Sequence, residues 1–189
     1  MFIKIKKTAI AGCGSVPGIG NVMLRYAARQ FDTIHTVDVG FVWDSNLKKF
    51  VVPFHMKSIL EEFTYNPRFI KHGRWGEVKP LKITREAHHQ LIGYQKSFLV
   101  QHPELYTFLH YYKKNGLENI RFFAGFPSHS LEKIYALIEL GFHREKPIKI
   151  EGKEIAPIDL LGPVLKYMRV PRGYTESENL WVEVTGRRD

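Results

Sequence analysis

A single cysteine, Cys13, stands in the whole 189-residue chain. One thiol excludes an internal disulfide framework and a thiolate-rich metal site, and it fits a reducing compartment. Long apolar runs are missing too. Nothing approaches the roughly 18 to 20 uninterrupted apolar residues that a membrane span needs, and the opening MFIKIKK is too short and too basic for a signal-peptide core. The expectation is a soluble, cytoplasmic protein with no membrane partner. Metal-ligand spacing is also absent. Nine histidines are present, but His88 and His89 are neighbours with no carboxylate at a helical offset, and neither H-x-x-x-H nor HExxH occurs. No metal is expected.

Acidic residues are the scarcer charge, 19 against 28 Lys+Arg, which leaves the chain at +9. Such an excess attracts polyanions or anionic small molecules. The basic residues are scattered, however, at Lys4, Lys6, Lys7, Lys48, Lys49, Lys113, Lys114, Arg187 and Arg188. They form no stripe along one helix and no nucleic-acid module. A basic nucleic-acid binder is therefore the weaker reading, and part of the charge is left to serve a small anionic ligand.

What is present is a chain with 44% hydrophobic residues, enough for one sizeable core. Residues 8–11 read as a short strand and 12–18 as a Gly/Pro-rich turn. Asn21 to Gln30 reads as a helix with Val22, Met23, Tyr26 and Ala27 on its apolar face, and Thr33 to Val42 as a strand with one covered face. Trp43 to Phe50 reads as a turn. His55 to Phe63 reads as a helix that must stop near Asn66-Pro67. A hairpin about His72-Gly73 follows. LIGYQKSFLV is taken as a strand and REAHHQ as a loop or helical turn. Residues 103–113 predict a helix, Asn119 to Phe126 a strand, and Ser130 to Leu140 a helix capped by serine and ended by Gly141. A small hairpin about Glu151-Gly152, a helix opening on Pro157, a polar loop over 171–179 and a strand LWVEVTG complete the chain. The sum is an α/β chain of the α+β type: a mixed, largely antiparallel sheet of about five or six strands packed against four or five helices.

The turn over Gly12–Gly18 invites a dinucleotide-binding reading, because G-x-G-x-x-G leads a strand into a helix whose N-terminus holds a pyrophosphate. Gly12 and Gly14 fit, and Asp38 ends the next strand where a ribose-binding carboxylate would lie. The third glycine is Pro17, which has no amide to offer. A tight turn with amides free for some anion is the alternative. His102 and Glu104, flanking Pro103, suit an acid/base pair, although a histidine near a turn is more often a plain hydrogen-bonding group. Arg68, just past a helix stop, suits a bidentate carboxylate ligand or a surface ion pair.

In order along the chain stand GCGSVPGIGNVMLRYA, FDTIHTVDV, SILEEFTYNPRFIKHGRWGEVKPL, LEKIYALIELGFHREKPIKIEGKEIAPIDLLGPVL and LWVEVTGRRD. Together they resemble the saccharopine dehydrogenase-like family, which holds saccharopine reductases and the carboxynorspermidine and homospermidine synthases. The resemblance spans nearly the whole chain. It implies that residues 1–32 are the remnant of a strand-turn-helix leading from an absent Rossmann domain, and that 33–189 are the family's C-terminal substrate-binding and dimerisation domain.

The resemblance also implies an NAD(P)H-dependent reduction of an imine formed between an amine or amino acid and an aldehyde, or the reverse. The cofactor would be held by the other domain, so the chain alone is expected to be inactive and to bind NAD(P) weakly. The expected partners are an anionic amino-acid-like substrate, a Rossmann domain and a second copy of the chain. Pro17, Gly18 and Asn21 match the family's PG-x-x-N turn, which with Gly14 faces the cofactor-substrate cleft. Arg68 matches an arginine after the first substrate-domain helix. His102 and Glu104 are similar to an H-S-E stretch, with Pro103 in place of serine. Val16 stands where lysine-pathway relatives carry aspartate, and His55 where some carry serine, which speaks against saccharopine itself as the substrate. A non-enzymatic anion-binding or assembly module is the alternative from another class.

Overall fold

The computed structural model describes residues 6–188. The first five residues of the MFIKIKK segment lie outside them. The architecture is built on β1 (Thr33–Ser45), whose residues from Val37 to Trp43 are all buried. A strand buried on both faces must lie between other strands and between two layers, which is why its sequence is rich in valine, phenylalanine and tryptophan. This corrects two expectations, because both faces are covered and the strand runs on through Trp43.

Around β1 the order of elements is α1 (Ile19–Ala27), α2 (Met56–Thr64), the hairpin β2 (Arg68–Lys71) and β3 (Arg74–Glu77), and the hairpin β4 (Thr84–His89) and β5 (Gly93–Val100). Then come α3 (Glu104–Tyr112), β6 (Asn119–Gly125), α4 (Ser128–Glu139), β7 (Ile148–Ile150), β8 (Lys153–Ile155), α5 (Pro157–Leu165) and β9 (Glu176–Arg187). The main sheet has the order β3-β2-β6-β1-β9, with the β4-β5 hairpin joined to β6 through β5. Among the described strands of this sheet only β1 and β6 run parallel, from Thr36 opposite Asn119 to Val42 opposite Gly125. β9 lies antiparallel along β1 from Thr33 opposite Arg187 to Ser45 opposite Glu176. The sheet is thus mixed and largely antiparallel, with seven strands plus the separate β7-β8 ribbon. The extra strands arise because REAHH pairs as β4 with β5 rather than forming a loop.

The helices gather on one face of this sheet. Val37, Val39, Phe41 and Trp43 of β1 and Ile120, Phe122 and Ala124 of β6 share that core with Met56, Ile59, Leu60 and Phe63, the predicted face of α2. α1 is rotated from expectation. Val22 and Tyr26 are 69% and 70% exposed, and the helix buries Gly20 and Leu24 instead. At Gly20 α1 lies against β1 and α3: a Cβ there would sit 3.6 Å from both Val39 and the Glu104 carboxylate, ordinary contact distance. Residues 8–11 form no strand, and Ile10 is 80% exposed. The edges of β1 are already taken by β6 and β9, and one isoleucine buries too little to hold another strand. α4 starts after Pro127 without a side-chain cap, two residues earlier than its serine suggests, and Gly141 ends it with φ 84°.

The opposite face of the sheet carries an ion network. Asp38, 5% exposed, receives Arg121 Nε at 2.7 Å on Oδ1 and Arg121 Nη2 at 2.5 Å on Oδ2. Arg85 lies 3.6 Å from the same carboxylate, reaches Glu183 at 2.5 Å and stacks its guanidinium 4.7 Å over Trp181. Gly40 makes room for this layer: a Cβ there would fall 2.7 Å from the Trp181 ring and 2.5 Å from the Phe123 carbonyl. Asp38 is therefore a mid-strand structural partner of two arginines, not a ribose ligand at a strand end.

Candidate functional site

A cavity of about 770 Å³ opens where five pieces of chain converge. The end of β1 contributes Phe41 and Trp43, α2 contributes Glu61 and Glu62, and the start of β9 contributes Glu176 and Glu178. Ser15 and Val16 of the Gly/Pro turn close one side, and Gln101, His102 and Pro103, just after β5, close another. Its wall holds four glutamates and neither a lysine nor an arginine. That is a strong local inversion of a chain that carries +9 overall. Lys57, one turn before Glu61 on α2, is spent 3.1 Å from Glu145.

Glu62 is the unusual group. Its Oε2 is sealed from solvent and meets no hydrogen-bond partner. Burial, and secondarily the neighbouring Glu61 charge, push its carboxyl up to about 8, so at neutral pH it is mostly protonated. Trp43 is likewise buried with an unpartnered Nε1. Unmet buried donors and acceptors of this kind cost stability and are rare in folded proteins.

His102 and Glu104 meet as the sequence suggests: His102 Nδ1 donates to Glu104 Oε2, which leaves Nε2 as the acceptor of the neutral ring. The imidazole stacks on Phe122 with centroids 4.1 Å apart. Glu104 is fully buried at the start of α3, with Oε1 unpartnered. Asn21 is near this pair but engaged, since Thr107 Oγ1 of α3 donates to its Oδ1 at 2.7 Å.

The Gly14–Gly18 turn is closed on itself. Gly14 N–H donates to the Pro17 carbonyl at 2.8 Å, and Ile19 N–H is shared between the Gly14 and Ser15 carbonyls. The amides of Asn21 and Val22 return to Gly18. Gly18 has φ 145° and a Cβ there would stand 2.2 Å from the Gly14 carbonyl oxygen, so only glycine fits. Ser15 Oγ donates to Glu178 Oε1 at 3.2 Å, which ties the turn to β9 at the cavity. Within the turn the Gly14 amide is used in this way and Pro17 has none, so two of the donors a pyrophosphate cradle would draw on are missing.

Arg68 stands apart. It opens β2 with its guanidinium 4.5 Å over the Trp75 ring and is not in the cavity wall, although Asn66 and Pro67 just before it are. The structure thus brings Val16, His102 and, through α1 and α3, Asn21 and Glu104 into one neighbourhood, and leaves Arg68 outside it. Reading the sequence missed Glu61, Glu62, Trp43, Glu176 and Glu178. Glu62 had one signal: at three residues past Ile59 and beside Phe63 it flanks the apolar stripe of α2. Among the described residues no group of three His, Cys, Asp or Glu is placed to hold a metal ion, and no helix is long and apolar enough to cross a membrane.

The saccharopine dehydrogenase C-terminal domain family matches residues 10–187, and the chain belongs to that family. Carboxyaminopropylagmatine dehydrogenase from Synechocystis sp. is 30% identical over 161 residues, covering 83% of this chain and 39% of that protein. The chain thus spans well under half of this relative's length. Apo saccharopine dehydrogenase (L-Glu forming) from Saccharomyces cerevisiae aligns over 67% of this chain and 32% of its own, with 10% identity and a TM-score of 0.47, a likeness too slight to bear weight. The chain is a domain of an oxidoreductase family.

Proposed function

We propose that this chain is the substrate-binding and dimerisation domain of a saccharopine dehydrogenase-like, NAD(P)-dependent oxidoreductase acting on a CH–NH bond. The reaction is reduction of an imine joining an amine or amino acid to an aldehyde, or its reverse. The observation that carries this reading is the 770 Å³ cavity, bounded by Ser15 and Val16 just before the Pro17-Gly18 turn on one side and by His102, bonded to Glu104, on the other. NAD(P)H would supply the hydride when held by a second domain, since this turn carries Pro17 where a phosphate loop has its third glycine and turns its Gly14 amide inward.

The work left to these residues is positioning and proton handling. Glu104 fixes His102 through Nδ1, so the other ring nitrogen can take or give the proton of the substrate nitrogen. Phe41, Trp43 and Phe54 line the cavity as aromatic walls that exclude water from an alkyl chain. A second copy of the chain and a cofactor-holding domain complete the enzyme, and the chain alone does not turn over.

Hydrogen exchange of the full chain against a panel of N-carboxyalkyl secondary amines, saccharopine among them, tests this. At least one is expected to slow exchange over residues 54–66 and 101–104. Slowing confined to other segments, or none across the panel, contradicts the assignment.

A further inference from the structure

We propose that β9 is the surface through which two copies of this chain associate, its outer edge pairing antiparallel with the same edge of a second copy about a twofold axis at Val182. The inference rests on reading the chain as a dimerisation domain and adds the surface and its register. β9 runs for 12 residues, Glu176–Arg187, as the last strand of the sheet; β1 takes one of its edges, and among the described residues no strand takes the other. An open edge of that length is a row of unmet backbone donors and acceptors, a ready template for another strand.

The helix layer stops at the same place. α1 lies over β9 with α3 beside it. Asn21 faces α3 through Thr107, and Gly20 faces β1 through Val39. At about 100° per residue, Ile19 and Tyr26 project to the side away from α3, past the free edge of β9, with Val22 above them. All three are at least half exposed. Leu180, Val182 and Val184, the apolar residues of β9 on the helix side, are only partly buried against the core. Continuing the sheet through a second β9 sets two α1 helices side by side over the join and covers all six residues.

Charge selects a second copy as the occupant and fixes the register. The strand is acidic at its start, Glu176 and Glu178, and basic where it ends, Arg187 and Arg188. An antiparallel copy reverses that order. Twofold pairing within one sheet keeps every side chain on its own face, so the axis must pass through a residue position rather than between two. With Val182 on the axis, Glu176 stands opposite the partner's Arg188 and Leu180 opposite the partner's Val184. An axis at Glu183 sets that carboxylate against its own copy, which is destabilising, and an axis at Trp181 loses the ion pair. Glu176 and Glu178 belong to the cavity wall, whose own lining holds four glutamates and no lysine or arginine. The partner's Arg188 therefore brings a cation to the candidate site.

Sedimentation of the full chain, with cysteines placed along β9 in a Cys13→Ser background, tests the assignment. A dimer is expected at micromolar concentration. Val182→Cys is expected to cross-link to its own copy under mild oxidation, because the two Cα atoms lie about 4.5 to 5.5 Å apart in this register, within disulfide reach. Val184→Cys, about 13 Å from its copy, is expected not to. Arg188→Glu is expected to raise the dimer dissociation constant roughly 10-fold, and Glu176→Arg in the same chain to restore it. A dimer whose Val182→Cys variant does not cross-link, or whose Arg188→Glu variant associates as before, overturns the β9 edge and leaves dimerisation standing. A monomer at every concentration overturns both.

Discussion

Replacing Phe126 by alanine is expected to lower the melting temperature by about 6 to 20 °C, from roughly 3 to 5 kcal/mol of lost stability. Phe126 is 1% exposed and sits just past β6. Its ring meets those of Phe63 at 5.5 Å, Phe98 at 6.0 Å, Trp43 at 6.1 Å, Phe41 at 6.2 Å and Phe54 at 6.4 Å. Edge-to-face contacts add to the apolar area each ring removes from water. Three of those five neighbours, Phe41, Trp43 and Phe54, also line the cavity. The substitution should therefore weaken ligand binding together with stability, whereas an equally buried core position away from the cavity, such as Leu117, should affect stability alone. Thermal unfolding followed by circular dichroism checks the first effect, and a fall of less than about 3 °C would show that the aromatic cluster is not the keystone described.

The second large effect concerns pH. Glu62 has a folded-state pKa raised from 4.5 to about 8 by burial. Between those values the unfolded chain has released this proton and the folded chain still holds it. Stability is therefore fully present below pH 4.5 and is lost as pH rises towards 8, by at most about 5 kcal/mol at 1.36 kcal/mol per pH unit. Glutamine at position 62 carries no such proton. Glu62→Gln and the wild-type chain should differ by a constant amount near pH 4, and above that the variant should gain progressively on the wild type until about pH 8.5. Denaturant unfolding across pH 4 to 9 measures the difference, and parallel curves for the two proteins would mean that Glu62 ionises normally in the folded chain.

Much of the fold can be read from short periodic stretches. The face of α2 at Met56, Ile59, Leu60 and Phe63 is as the 3.6-residue period demands, and the hairpins at His72-Gly73 and Glu151-Gly152 form where left-handed backbone is called for. The errors fall where tertiary contacts outweigh local pattern. α1 has two candidate stripes, and the one that the tertiary structure buries contains Gly20 and Leu24, with Gly20 against Val39 and Glu104. Trp43 and the Glu176–Glu178 stretch looked polar and turn-like, yet each is the end of a long strand paired with the other.

The candidate site divides in the same way. The His102–Glu104 pair lies two residues apart and is visible as a spacing. Pro17 announces that the turn departs from a phosphate loop, and the Gly14 amide turned in to the Pro17 carbonyl is one physical form of that departure. Glu62 is hidden because the cavity whose wall it shares with Trp43, Val16 and the start of β9 is assembled from residues distant in sequence. Nothing local reveals that Trp75, on the paired strand β3, lies against the Arg68 guanidinium.

The central claim is that this domain shapes the substrate side of an oxidoreductase and leaves the cofactor to another domain. Calorimetric titration of the purified chain with NADPH and NADH tests it most directly. The account predicts no binding tighter than about 10 μM, roughly 7 kcal/mol. Tighter binding, abolished by disrupting the Gly14–Gly18 turn, would make that turn a working cofactor loop and contradict it.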